Sequence, residues 1–310
     1  MILTGETVLT YSAYRRDIGR AYRRISTGSD LAQTSRGPIE YAVRGKGLPL
    51  LSVHGAGGGF DQGLEGAEAL VNSGFRVIAP SRFGYLRTPL QPDASAPAQA
   101  DAYALLLDAL QIKRAAIVGM SAGAPSSMQF ALRHPDRTAA LVLLVPAAFA
   151  PTDRASPRRA TRSTLFLFET ALRSDFLFWA MSKLAHEMFI RSILGTPPEI
   201  VASASADEQA RIERMIELIL PVRPRRLGLL NDNSVVSSLS RYELERISVP
   251  TLAISAADCL YGTFERARYT ADHVPNARFI GYPSGGHMLV GRHADSNGEI
   301  IAFLKHAGRF

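Results

Sequence analysis

The 310-residue chain has one cysteine, Cys259, so no disulfide can form within it and nothing in its composition calls for an oxidising compartment. Placed directly after Asp258, that lone thiol reads as a small buried hydrophobe. Long apolar runs are also missing. The longest, AALVLLVPAAFAP at 139–151, is broken by Pro146 and falls short of the roughly 20 residues that a membrane helix requires. The first residues place their arginines after only a few apolar positions, unlike a signal peptide. A soluble, cytoplasmic protein with no integral membrane segment is the expectation. The chain has no Gly-x-x-x-x-Gly-Lys, no Gly-x-Gly-x-x-Gly followed by an acidic ribose ligand, no repeat and no low-complexity tract, which argues against nucleotide binding and against an array.

With 46% hydrophobic residues, the chain can bury a core of domain size. Its formal charge of +7 comes from basic residues interspersed with acids, which suggests a biased surface more than a nucleic-acid groove. Arg15, Arg16, Arg20, Arg23 and Arg24 concentrate in the first 25 residues, read here as a basic helical extension that is solvated, with a membrane-surface helix as its rival.

From residue 37 onward, short apolar runs alternate with helical patterns. GPIEYAVRGKG, LPLLSVHG, FRVIAPS, AAIVG, AALVLLV, PTLAIS and ARFIGYP read as strands, and residues 62–73, PAQADAYALLLDALQI and PSSMQFALRHP as helices. Fully apolar strands separated by helices predict an α/β fold, a mostly parallel sheet covered on both faces. Residues 150–240 interrupt the alternation with aromatic, helical stretches and no convincing strand. They read as an all-helical insertion, a lid or cap, between core segments 26–149 and 241–310.

GMSAG at 119–123 puts Ser121 between two glycines at a strand-to-helix junction. Such spacing suits a nucleophile held on a sharp, strained turn, and it equally suits a serine that caps the following helix. SVHGAGGGF at 52–60 is a glycine-rich loop after a strand, able to turn N–H groups toward a developing oxyanion. Asp258 stands at the exit of TLAIS, ahead of Asp232 and Asp272 as the candidate acid, and His287 stands in the Gly-rich loop after ARFIGYP.

Together these residues resemble the α/β-hydrolase superfamily, over about 26–150 and 241–310. The resemblance implies Ser121 as nucleophile, His287 as base and Asp258 as the group that holds the imidazole. It further implies an oxyanion hole from the N–H groups of Ala122 and Ala56, with Gly57 as the alternative to Ala56, and no metal or organic cofactor. His54 would be a structural loop residue and His134 a helix C-terminal cap. SRFGYLRT at 81–88 departs from the family's acidic turn by carrying Ser81, which leaves the roles of Arg82 and Tyr85 open.

The expected activity is hydrolysis of a small apolar carboxylic ester through an acyl-enzyme. Phe166, Phe168, Phe176, Phe178 and Trp179 supply aromatic surface in the insertion, and Tyr85, Met288 and Trp179 are candidate substrate contacts. A carbon–carbon bond hydrolase, a cofactor-free perhydrolase, a hydroxynitrile lyase and a non-catalytic ligand receptor are the alternatives on the same fold, because the motif reports machinery and not substrate. A small-molecule substrate is the expected partner, nucleic acid is not, and a homodimer is allowed.

Overall fold

The computed structural model describes residues 5–151 and 169–307, with side chains from residue 11 onward. Phe166 and Phe168 lie outside the described residues.

Among the described residues, eight strands form one sheet in the order β1-β2-β4-β3-β5-β6-β7-β8. They are β1 (Asp30–Thr34), β2 (Gly37–Arg44), β3 (Leu48–Val53), β4 (Phe75–Pro80), β5 (Ala115–Met120), β6 (Thr138–Leu144), β7 (Thr251–Ala256) and β8 (Arg278–Tyr282). The first two pair antiparallel, and β2 runs antiparallel to β4; from β4 to β8 every pairing is parallel. Sequence pattern alone misses β1, because DLAQT has only two apolar residues and is fixed as an edge strand by its hairpin with β2.

Period-two alternation sends neighbouring residues into different cores. Leu51, Ile117, Leu141 and Leu143 enter one cluster, while Leu50, Val118, Val142 and Ile254 enter the other. Each such fully buried side chain stabilises by roughly 1.5–3 kcal/mol relative to its exposed state. Helix α4 (Ala96–Ala109) starts at Ser95, whose hydroxyl accepts from Ala98 N, and packs with α5 (Ala124–Arg133) on the first face. Helix α2 (Phe60–Gly66) and α3 (Glu68–Asn72) cover the second, where the pattern at 62–73 suggests a single helix; the C-terminal helix His293–Ala307 joins them there.

Between β6 and β7 the described residues form helices only: α6 (Asp175–Leu184), α7 (His186–Ile193), α8 (Pro198–Ala202), α9 (Ala206–Ile219) and α10 (Arg226–Ser237), with short 3-10 turns. Their apolar faces, including Phe178, Phe189, Ile212 and Ile216, make a third cluster. Helix α1 (Gly5–Ser26) belongs to it, which corrects the expectation of a solvated extension. Ile18 and Ala21 are buried in that cluster, Tyr22 donates to Asp175 at 2.8 Å, and Arg24 donates to Asp61 of α2 at 2.9 Å. The arginines sit on a helix whose apolar face has a partner in the insertion, so the helix docks. No helix among the described residues is long and apolar enough to cross a membrane.

Candidate active site

Strand β5 ends at Met120 and the chain turns at once into α5, leaving Ser121 with φ of 49°, in the left-handed region that disfavours side chains. Such a conformation costs of order 1–3 kcal/mol and persists only where the surroundings enforce it. Here the enforcement is close packing. A Cβ at Gly119 would stand 2.5 Å from Ser127 Oγ, and one at Gly123 would stand 2.6 Å from the His54 carbonyl and 2.8 Å from that of Val53. Both flanking positions therefore have room for glycine alone. Helix α5 has no side-chain cap; the Ser121 hydroxyl instead lies 2.9 Å from His287 Nε2, so the helix-capping alternative fails.

His287 comes from the loop after β8 and is buried. Gly286 before it has φ of 63°, and His287 N donates to the Gly195 carbonyl of the insertion at 3.2 Å. The next residue is held the same way: Met288 N donates to Thr196 Oγ1 at 3.1 Å, and its carbonyl accepts from Arg211 at 2.9 Å. The ring of Tyr261 meets the imidazole edge-on at 4.9 Å. The insertion thus fixes the backbone that presents the histidine.

The expected contact between Asp258 and the imidazole is not the one that forms. The Asp258 carboxylate accepts from Gly286 N at 2.8 Å and Gly285 N at 3.1 Å, bracing the loop from below. What faces His287 Nδ1 is the sulfur of Cys259, at 3.3 Å. Thr263 Oγ1 donates to the same sulfur at 3.0 Å. Burial alone would push this thiol up, but the adjoining imidazole and the Thr263 donors outweigh it and bring it down to about 7. One residue of register decides which side chain turns inward where β7 ends. Neither rival acid reaches the imidazole: Asp232 pairs with Arg82, and Asp272 lies in the helix Thr263–His273.

The glycine loop lies against the elbow, and a Cβ at Gly55 would be 3.3 Å from Ser121 Cβ. Its carbonyls are held by buried cations. Arg82 donates to the His54 and Gly55 carbonyls, each at 3.1 Å, and forks onto Asp232 of α10, with Nη2 2.7 Å from Oδ2. Arg225, fully buried, donates to the Gly58 carbonyl and pairs with Asp61 at 2.8 Å. Although burial opposes its charge, Asp61 is held below the usual carboxylate range by Arg225 and Arg24. His54 accepts from Arg82 N at Nε2 and lies 2.7 Å from the Gly55 carbonyl at Nδ1, while burial and then the Arg82 charge lower its basicity. It stays neutral and structural.

Of the candidate oxyanion donors, Ala122 is buried at the head of the elbow and Ala56 is exposed in the loop. Gly57 N donates to the Tyr85 hydroxyl at 3.2 Å, which engages the alternative donor. Tyr85 itself is fully buried, donates to Asp232 and so supports the loop, in place of the substrate contact expected of it. Trp179 is likewise committed elsewhere: its indole N–H donates to Asp17 of α1 at 3.0 Å and its ring packs on Tyr14 and Phe176. Met288 is half-buried beside His287. The residues that sequence reasoning does not find are Cys259 in its bonded role and the pairs Arg82–Asp232 and Asp61–Arg225, whose members lie 150 and 164 positions apart. Ser81 in place of an acid was the one local clue: its hydroxyl now links Phe60 N to Glu40.

Comparison with known proteins agrees with this architecture. The family model described as the alpha/beta hydrolase fold matches residues 49–294. An uncharacterized hydrolase, YcgS, of Bacillus subtilis (strain 168) is 28% identical over 280 residues, covering 86% of this chain and 94% of that one. The 2-hydroxy-6-oxo-6-phenylhexa-2,4-dienoate hydrolase of Burkholderia cepacia is 24% identical, covering 84% and 88%. Among solved structures, an alpha/beta hydrolase fold protein from Nakamurella multipartita superposes with a TM-score of 0.67 at 27% identity, over 90% of this chain and 99% of that one. With the sheet order, the elbow and a family match over most of its length, the chain belongs to the alpha/beta hydrolase fold family.

Proposed function

We propose that this protein is a serine hydrolase that cleaves a small, apolar carboxylic ester by acyl transfer through Ser121. The carrying observation is the 2.9 Å contact between Ser121 Oγ and His287 Nε2 on a backbone strained to φ of 49°. In this reading Oγ attacks the substrate carbonyl carbon while its proton passes to Nε2. The carbonyl oxygen, now an anion, receives the N–H groups of Ala122 and Ala56, fixed dipoles that need no reorganisation as charge develops. Collapse of the tetrahedral species breaks the bond to the leaving group, which takes the proton from Nε2. Water then repeats the sequence on the acyl-serine and returns the enzyme.

An apolar substrate is supported by what overhangs the glycine loop. A Cβ at Gly57 would lie 3.3 Å from Ile219 and 3.8 Å from Leu229, both from the insertion, which would act as the lid. Relatives that cover most of the chain favour a second reading. Hydrolases of 2-hydroxy-6-oxo dienoates include the Burkholderia cepacia protein and one from Comamonas testosteroni at 23% identity; in this second reading the bond cleaved is carbon–carbon, with the same serine and base.

The test is a panel of chromogenic acyl esters of increasing chain length run beside a 2-hydroxy-6-oxo dienoate, on the wild type and on Ser121→Ala. Turnover of short esters that falls by about 10⁴-fold or more in the variant is the expected result, by analogy with removal of a serine nucleophile elsewhere. Turnover that survives Ser121→Ala would refute the nucleophile, and turnover of the dienoate alone would select the second reading.

A further inference from the structure

Cys259 lies at a point where the proposed chemistry needs a partner, and among the described residues no carboxylate contacts the imidazole. When Ser121 gives its proton to Nε2, the imidazole becomes a buried cation, and the ring nitrogen away from the serine must point at something that accepts a hydrogen bond and tolerates positive charge. That something is the Cys259 sulfur, 3.3 Å from Nδ1. With Nε2 accepting from the serine, Nδ1 carries the ring proton and donates it. The sulfur also receives Thr263 Oγ1 at 3.0 Å and is buried, so protein donors and not water surround it. Two donors directed at one sulfur favour its anion. Asp258, the neighbour that could compete, has both carboxylate oxygens committed to Gly285 and Gly286.

We propose that Cys259 is the positioning residue of the relay, a sulfur standing where an acid would otherwise stand, which fixes the His287 tautomer and, as thiolate, balances the imidazolium that forms during serine attack. This rests on Ser121 being the nucleophile. The step moves one proton, from Ser121 Oγ to His287 Nε2; the Nδ1 proton stays on the ring and the sulfur keeps its electron pair. The other titratable groups facing the pair are Tyr261, edge-on to the ring, and Asp258 behind the loop, while the insertion faces His287 with the Gly195 carbonyl.

A thiolate differs from a carboxylate in when it ionises. A carboxylate is already charged wherever the imidazole is neutral, so such a relay loses one proton on becoming active. Here the partner is a thiol brought down to about 7, which must give up its own proton before it can balance the cation, so two protons must leave, one from the sulfur and one from the base.

The experiment measures the second-order rate of Ser121 phosphonylation by a fluorophosphonate from pH 5 to 9, for the wild type, Cys259→Ala, Cys259→Ser and Cys259→Asp. In that reaction the Oγ–P bond forms, fluoride leaves and His287 takes the proton, so the readout is independent of which substrate the enzyme prefers. The expected result is a fall of about 10²-fold or more in Cys259→Ala, within the range for general-base assistance, and recovery of most of it in Cys259→Asp. The slope of log rate against pH on the acid side should exceed one in the wild type and drop to one in Cys259→Asp. Thermal melting of each variant separates this from loss of fold. If Cys259→Ala reacts within twofold of wild type, or folded Cys259→Asp is as slow as Cys259→Ala, the assignment of Cys259 is overturned while the serine stands. Absence of Ser121 labelling in the wild type would overturn the serine reading and this one with it.

Discussion

The elbow at Gly119–Gly123 and the loop at 285–291 each deliver one half of a 2.9 Å contact, yet they are built on opposite plans. The elbow is enforced by chain a few residues or one strand away: the Ser127 side chain on the helix that follows, and the main-chain carbonyls of Val53 and His54 at the end of β3. The histidine loop hangs on distant chain, namely Gly195 and Thr196, Arg211, Asp258, and Glu208, which accepts from Gly291 N at 2.9 Å. In the proposed reading the difference has a use: a nucleophile under strain needs immobile walls, whereas a base needs aim, and aim can be supplied by a separately packed unit.

This contrast can be broken from either side. The largest effect is expected for Gly123→Ala, whose new Cβ meets main-chain carbonyls that cannot move without shifting β3. A loss of about 3 kcal/mol or more in urea unfolding, with activity lost as well, is the expected outcome. Wild-type stability would show that the elbow is softer than its contacts imply. Next comes Gly286→Ala, which strains a φ of 63° and meets only the Thr196 side chain, at 2.5 Å. Side chains can give, so the fold should survive at a cost of about 1–2 kcal/mol, while turnover drops about tenfold or more with KM little changed. The smallest effect is expected for Asp258→Asn. It keeps one acceptor oxygen for the loop and forfeits one hydrogen bond, about 1 kcal/mol in melting experiments. Its turnover should stay within about tenfold of wild type; a collapse comparable to Ser121→Ala would return the acid role to Asp258.

The same division explains what could be read from the sequence. The mostly parallel sheet, its covering helices and the elbow rest on local signals: apolar strands, helical periodicity, and two glycines around Ser121. They carry through to the parallel sheet and to the φ of 49°. The docking of α1 could not be read, since it depends on where Asp17 meets Trp179 and Arg24 meets Asp61, 162 and 37 positions away. The pairs Arg82–Asp232 and Asp61–Arg225 are of that kind too. At the end of β7 the difficulty was finer. Asp258 and Cys259 are neighbours, and residue chemistry favoured the carboxylate, but the turn after the strand directs the sulfur at the imidazole and the carboxylate at the glycine amides.

The indole of Trp179 gives that docking an optical signature. It is the sole tryptophan of the chain, 5% exposed, and bonded to Asp17 where α1 meets the insertion. Intrinsic emission excited at the red edge of protein absorbance therefore originates from one joint. It is quiet about the sheet and the elbow, and it would shift to longer wavelength when α1 lets go and water reaches the ring. Anyone following the protein by fluorescence watches the clasp between its first helix and the helices of the insertion, and can time that clasp against turnover without attaching a label.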